Sequence, residues 1–210
     1  MQDETERRSP DTPSVAPILL VISGPSGVGK DAVVADLRRA LPSAHFATTV
    51  TTRPPRPGER DGVDYRFLSD EQYDRLVAGD GLLERASVYS HRYGVPKGAV
   101  RDALRNGQDV VVRVDVQGAA TIKRLLPDAI LVFLAPESRE ELETRLRGRA
   151  TDGGADLRLR IDTAAREMAQ EDAFDYVVVN AEGRLDEAVS SIASIVESEK
   201  RRSGRRAIQI

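Results

Sequence analysis

The chain has 210 residues, 40% of them hydrophobic and 31% charged, with a formal net charge of −3. That length suits one domain, and that balance suits a soluble globular chain with no overall bias toward nucleic acid. With no cysteines and only two histidines, His45 and His91, disulfides, thiolate zinc sites and thiol nucleophiles are excluded and a multi-histidine metal centre is disfavoured.

Residues 1–16 read as a disordered tail, polar and of mixed charge, without the apolar stretch of a secretory signal. No apolar run approaches the roughly 18 residues that span a membrane, so no membrane partner and a cytoplasmic location are expected. ILLVIS (18–23) is a continuous apolar run ending at a glycine, as in a strand buried on both faces. A helix is expected over Lys30–Ala40, with Val33, Val34, Leu37 and Leu41 facing the core. FATTVT (46–51) is rich in β-formers, and RPPRPGERDGVD (53–64) is a loop dense in Pro and Gly. Ser69 and Gln72 form a capping box for a short helix. Leu82–Tyr89 reads as a strand and Tyr93–Pro96 as a turn.

Alternation then resumes: helix 97–106, strand 109–115, helix 117–126, strand 129–134. Ser138 and Glu141 cap a helix that carries Leu142 and Leu146 on one face. TDGGA (151–155) breaks the pattern, and an arginine-rich helix runs to about Glu171. YVVVN (176–180) is the last strand, and Leu185, Val189, Ile192 and Val196 mark the core face of a last helix over 184–200. KRRSGRR (200–206) is a basic tail, read as a solvated end rather than a nucleic-acid contact because the whole chain is slightly acidic.

Strands alternating with helices predict an α/β fold: three layers around a mostly parallel sheet. The core is expected from 17–46, 97–137 and 171–200. Residues 47–96 interrupt the alternation as a small inserted lobe, and 138–170 as a second, mobile insertion.

Gly24-Pro25-Ser26-Gly27-Val28-Gly29-Lys30 follows the first strand and opens the first helix. This is the context in which glycine N–H groups curl around phosphate oxygens, the helix N-terminus adds positive potential and a lysine reaches the β- and γ-phosphates. The loop says only nucleoside triphosphate. Asp31 stands where such loops carry Ser or Thr. It is either a carboxylate ligand for Mg²⁺ brought with ATP or an acid favoured in a first helical turn. Arg53 and Arg56 lie three apart on a proline-stiffened loop. Their guanidinium forks suit a second phosphate, although the spacing alone fits two solvated arginines equally.

GPSGVGK (24–30), TTRPPRPGE (51–59), DGVDYRF (61–67), LLE (82–84), YG (93–94), DVQGA (115–119), RLRGR (145–149) and YVVVN (176–180) occur together in one order. In these motifs the chain resembles the guanylate kinases, over about residues 17–200. The resemblance implies a P-loop NTPase core, a small mixed-β GMP-binding lobe (47–96) and a helical lid (138–170), flanked by the tails 1–16 and 201–210. It implies transfer of a phosphoryl group from ATP, with Mg²⁺, to GMP. Residue by residue, it puts Arg53, Arg56, Tyr65 and Tyr93 on the GMP phosphate. Glu84 would lie on the guanine N1–H and amino group, Thr49 near guanine O6 and Asp115 near the guanine amino group. Arg145, Arg149 and Arg160 match catalytic lid arginines that act beside Lys30, and Asn180 lies near the adenosine. Gly153 and Gly154 would let the lid move.

Two positions depart from the pattern. Asp31 replaces Ser/Thr, and Val95 replaces a hydroxyl residue after Tyr93-Gly94, removing a polar contact to the acceptor. Both are features of the similar ribose 1,5-bisphosphate phosphokinases, the alternative reading. A base-free acceptor has no use for Glu84, and the three longest shared motifs suit GMP better. A third alternative is a catalytically dead, guanylate-kinase-like binding module; Lys30 and the paired arginines argue against it.

Overall fold

A computed structural model describes residues 16–88, 90–148 and 154–210. The first 15 residues of the expected tail, residues 151–153 of the break expected at 151–155 and Arg149 lie outside the described residues, while Gly154 and Ala155 of that break already belong to a helix.

β1 (Leu19–Ser23) is buried along its whole length. Side chains alternate across a strand, so Leu20 and Ile22 enter one core cluster and Leu19 and Val21 the other. β1 sits at the centre of a five-stranded sheet with β2 (His45–Phe46), β7 (Val110–Arg113), β8 (Ile130–Ala135) and β9 (Tyr176–Val179), ordered β2-β7-β1-β8-β9. All four pairings are parallel. Parallel strands need crossovers, and the crossover helices cover both faces.

On one face lie α1 (Lys30–Ala40), α5 (Arg139–Gly148), α6 (Gly154–Met168) and α7 (Leu185–Arg201), which contribute Leu37, Leu142, Leu146, Ala164 and Ile192 to the first cluster. The helices expected as a mobile insertion are therefore also packed onto the core. On the other face, α3 (Lys97–Arg105) and α4 (Val116–Leu125) contribute Val100, Leu104 and Ile122. Helix α7 buries Ala188, Val189, Ile192 and Val196, the i, i+3/i+4 face read from the sequence, with Leu185 at its edge.

The stretch 46–51 is divided between two sheets. His45 and Phe46 join the large sheet, while β3 (Val50–Thr51) belongs to a second sheet ordered β4-β3-β6-β5, with β4 (Arg66–Phe67), β5 (Leu82–Val88) and β6 (His91–Pro96). This sheet is mixed: β3 runs parallel to β4 and antiparallel to β6, which runs antiparallel to β5. Helix α2 (Asp70–Ala78) opens with the full Ser69–Gln72 capping box.

Two expectations fail. Tyr93–Pro96 is the end of strand β6, not a turn: pairing with β5 from Val88↔His91 to Leu82↔Pro96 outweighs the local turn signal. Gly94 serves close approach instead, since a Cβ there would lie 2.8 Å from Leu82 Cδ1. Nor is the basic tail wholly a solvated end: residues 200–204 and Arg206 are exposed, but Arg205 is held down. Arg205 keeps only 11% of its side chain exposed and lies 3.6 Å from Glu199. Glu199 is buried on α7 and also accepts the Tyr176 hydroxyl at 2.6 Å. Ile208 and Ile210 pack against the second cluster. A buried acid needing cations and two apolar side chains hold this segment down.

Candidate active site

The site lies where β1 and β7 end, as expected at the carboxyl ends of parallel strands. After Ser23 the chain turns through Gly24 and Gly29, with φ of 140° and 97°. A side chain at Gly24 would put its Cβ 2.3 Å from the Leu134 carbonyl oxygen, so only glycine fits. Val28 is fully buried, and its carbonyl accepts from Asn180 Nδ2 at 2.7 Å and Arg145 Nη1 at 3.1 Å. Arg145 also donates to the Asn180 carbonyl at 3.0 Å and pairs with Glu141. Both residues therefore brace the loop from behind, and neither lines the cavity in front of it.

Lys30 Nζ folds back on the loop, donating to Gly24 O at 2.6 Å and Pro25 O at 3.1 Å. Burial lowers its pKa, against the raising effect of Glu167, Asp31 and Asp115. The Ser26 N–H donates to Glu167 Oε2 of α6 at 2.9 Å, so a carboxylate oxygen occupies an N–H of the kind that such loops offer to phosphate.

In front of the loop is a cavity of about 420 Å³. It brings together Ser26, Gly27, Gly29, Lys30 and Asp31 from the donor side with Thr49, Arg53, Arg56, Tyr65, Glu84, Tyr93 and Asp115, and with Arg160 of α6. Gly24, Pro25 and Val28 form the loop's inner side and do not line it.

The arginine loop is preorganised. Arg53, 8% exposed, pairs with Glu59 Oε1 at 2.9 Å, while Glu59 Oε2 accepts the Arg56 N–H at 2.7 Å. The Arg53 guanidinium lies 5.3 Å from the Tyr65 ring centre, and Tyr65 meets Tyr93 edge-on at 6.1 Å. Burial raises the Tyr65 pKa.

Glu84 lies at the other end. A register shift between Leu82 and Glu84 lets consecutive residues Leu83 and Glu84 both be buried. Its Oε1 has no hydrogen-bond partner. Gly118 makes room for the carboxylate, since a Cβ there would come within 2.8 Å of Oε1. Burial, helped by the charge of Asp115, pushes the Glu84 pKa up to about 8. Asp115 caps α4, accepting the Gly118 N–H at 2.7 Å, a structural duty that its motif did not disclose. Thr49 donates to the Arg113 carbonyl at 3.2 Å. Val95 is fully buried in the second cluster and does not line the cavity.

Asp31 pairs with Arg113, whose side chain is 12% exposed. Among the described residues no group of three or more acidic or histidine side chains forms a metal site. Magnesium that arrives on a triphosphate needs only one or two carboxylates beside phosphate oxygens and water, and Asp31 and Asp115 at the cavity wall fit that requirement.

Sequence reasoning missed Arg113, Glu167 and His91 in this cavity. Arg113 left one signal: a lone arginine in the apolar strand VVVRV, two residues before Asp115 and so on the same side. Glu167 left none.

Residues 17–199 match the family model described as guanylate kinase. The chain belongs to the guanylate kinase family. It is 45% identical over 202 residues to guanylate kinase 2, chloroplastic/mitochondrial, of Oryza sativa, covering 96% of this chain and 71% of that one. It is 48% identical to the guanylate kinase of Cutibacterium acnes (84% and 88% covered) and 48% identical to that of Thermobifida fusca (84% and 91%). The crystal structure of guanylate kinase from Anaplasma phagocytophilum superposes with a TM-score of 0.75 at 29% identity, covering 91% of this chain and 90% of that one. The guanylate kinase pattern thus spans both sheets and the cavity between them.

Proposed function

We propose that this protein transfers the γ-phosphoryl group of ATP to GMP, giving ADP and GDP. Glu84 carries the reading. A buried carboxylate with an unpartnered oxygen is costly, and guanine presents N1–H and its 2-amino group as adjacent donors that satisfy it. A base-free sugar bisphosphate leaves the same oxygen unsatisfied, which disfavours that acceptor.

ATP lies along the Gly24–Lys30 loop, and the loop N–H groups take its β- and γ-phosphates. Lys30 turns from the carbonyls of Gly24 and Pro25 to the phosphate oxygens. Magnesium carried by ATP would neutralise charge on those oxygens, and Asp31 would be the carboxylate to hold it. GMP lies in the 47–96 lobe, its phosphate on Arg53, Arg56, Tyr65 and Tyr93 and its base on Glu84, with Thr49 and Asp115 beside the ring. A GMP phosphate oxygen attacks the γ-phosphorus in line while the bond to the ADP oxygen breaks. That oxygen is already ionised, so no general base is required.

Arg145, Arg149 and Arg160 belong to a lid over 138–170 that closes on the reacting phosphates. An arginine so placed is worth about 10³ or more in rate, and closure keeps out water that would waste ATP. Arg160 lines the cavity already, whereas Arg145 has to release Val28 and Asn180. Purine nucleotide metabolism in the cytoplasm is the setting that this reading implies. Among the described residues no helix is long and apolar enough to cross a membrane.

An ADP-release assay with ATP·Mg²⁺ and GMP, AMP or ribose 1,5-bisphosphate tests the proposal. Turnover with GMP, and none above background with the others, is expected. Turnover with the sugar bisphosphate and not with GMP overturns it.

A further inference from the structure

Arg113 has no part in the mechanism above, yet its guanidinium touches both halves of the cavity. Its backbone is fixed at the end of β7, paired with Ile22 of β1. Its Nη1 pairs with Asp31 on the first turn of α1. Its Nη2 donates to the Asp64 carbonyl at 3.0 Å, and its Cζ lies 4.3 Å from the centre of the Tyr65 ring. The Thr49 hydroxyl adds a tie from the small sheet's side to the Arg113 main-chain carbonyl.

Each charge explains the other. Asp31 next to a triphosphate repels it unless the charge is balanced, and a nearly buried arginine is unfavourable without an acid. The usual metal side of a phosphate loop is a hydroxyl after the lysine and a nearby aspartate. In this chain the hydroxyl position is acidic and is met by a base. Tyr65 is consequently held by two guanidinium groups, Arg113 at 4.3 Å and Arg53 at 5.3 Å, and cation–π contact favours that placement.

We propose that Arg113 is a positioning residue for the acceptor: tied to Asp31 on the donor helix, it fixes Tyr65 and the Asp64 turn so that the phosphate clamp is aligned with the phosphate loop. Asp31 and Arg113 act as one unit. The inference rests on the GMP reading, which supplies the acceptor.

The test is steady-state kinetics with GMP and ATP varied separately, for the unmodified chain, Arg113→Ala, Arg113→Lys, Asp31→Asn and the Asp31→Asn/Arg113→Ala double variant. Arg113→Ala is expected to raise KM for GMP by about tenfold and KM for ATP by less than about twofold. Arg113→Lys keeps the charge beside Asp31 but loses the planar stack and the fork, so its KM for GMP falls in between. The KM for GMP of the double variant should be no higher than that of Arg113→Ala, because one unit is lost once. Equal rises in both KM values for Arg113→Ala, or additive rises in KM for GMP in the double variant, overturn the proposal. So does a lowered melting temperature with both KM values unchanged, the outcome of a purely structural ion pair. If the unmodified chain does not turn over GMP, the acceptor reading itself fails, and Arg113 loses this role with it.

Discussion

In the proposed reading, Glu84 concentrates the chemistry of the acceptor side in one buried carboxyl group. Its pKa of about 8 lies above the ordinary carboxylate value, so the folded state holds a proton that the unfolded chain releases. Its favourable contribution to stability is complete below about pH 4.5 and is lost as pH rises toward 8. Chemical denaturation of the free protein should show stability falling across that window, and Glu84→Gln should flatten that part of the slope. Guanine donors require the carboxylate, so the KM for GMP should fall as pH rises from 6 to 8, while Glu84→Gln has a higher KM with a flatter profile. The KM for ATP should change little in that variant. The clamp makes a second prediction. Glu59 joins Arg53 and the Arg56 N–H, so Glu59→Ala should raise KM for GMP about tenfold and leave KM for ATP near its starting value. Equal effects on both nucleotides contradict the preorganisation argument.

Among the elements, β5 and β6 position Glu84 and Tyr93, and their spacing depends on Gly94. A Cβ at 94 would also lie 3.1 Å from the Glu84 carbonyl oxygen. Gly94→Ala should destabilise the protein by roughly 1–3 kcal/mol, the usual range for overpacking, and raise KM for GMP more than for ATP. Thermal unfolding and kinetics on the same sample check both. Strand β1, the phosphate loop and α1 were legible because burial period, glycine spacing and lysine all lie within about twenty residues. Strand β6 was not, because Tyr-Gly-Val-Pro carries turn residues and the β5 ladder that overrides them is a tertiary fact. The division of 46–51 between two sheets was hidden for the same reason: nothing local says that Phe46 pairs with Val111 while Val50 pairs with Gly94.

At the scale of the molecule, the cavity lies at the carboxyl ends of β1 and β7, and the C-terminal segment lies at the opposite ends. It lines a second, separate depression with Ile130 and Tyr176, the first residues of β8 and β9. Removing residues 202–210 takes Arg202 and Arg205 from Glu199 and uncovers the surface under Ile208 and Ile210. The expected loss is roughly 2–5 kcal/mol, seen as a lower melting temperature with both KM values unchanged; an unchanged melting temperature contradicts the packing role. Composition alone made this segment look solvated because it counts charges and not their partners. Arg53, Arg56, Tyr65, Glu84 and Tyr93, which line the cavity from the 47–96 lobe, were legible as a set through the shared motifs, whereas the Asp31–Arg113 pair, 82 residues apart, became visible only in three dimensions.

The most direct test of the central claim is the number of protons exchanged when GMP binds at pH 7, measured by calorimetry in buffers of different ionisation enthalpy. A Glu84 carboxyl with a pKa of about 8 is mostly protonated at pH 7 and must ionise to accept two guanine donors. The account predicts release of most of one proton by the unmodified chain, and loss of that release in Glu84→Gln. Binding without proton release, or with the same release in both proteins, would contradict Glu84 as the residue that reads guanine.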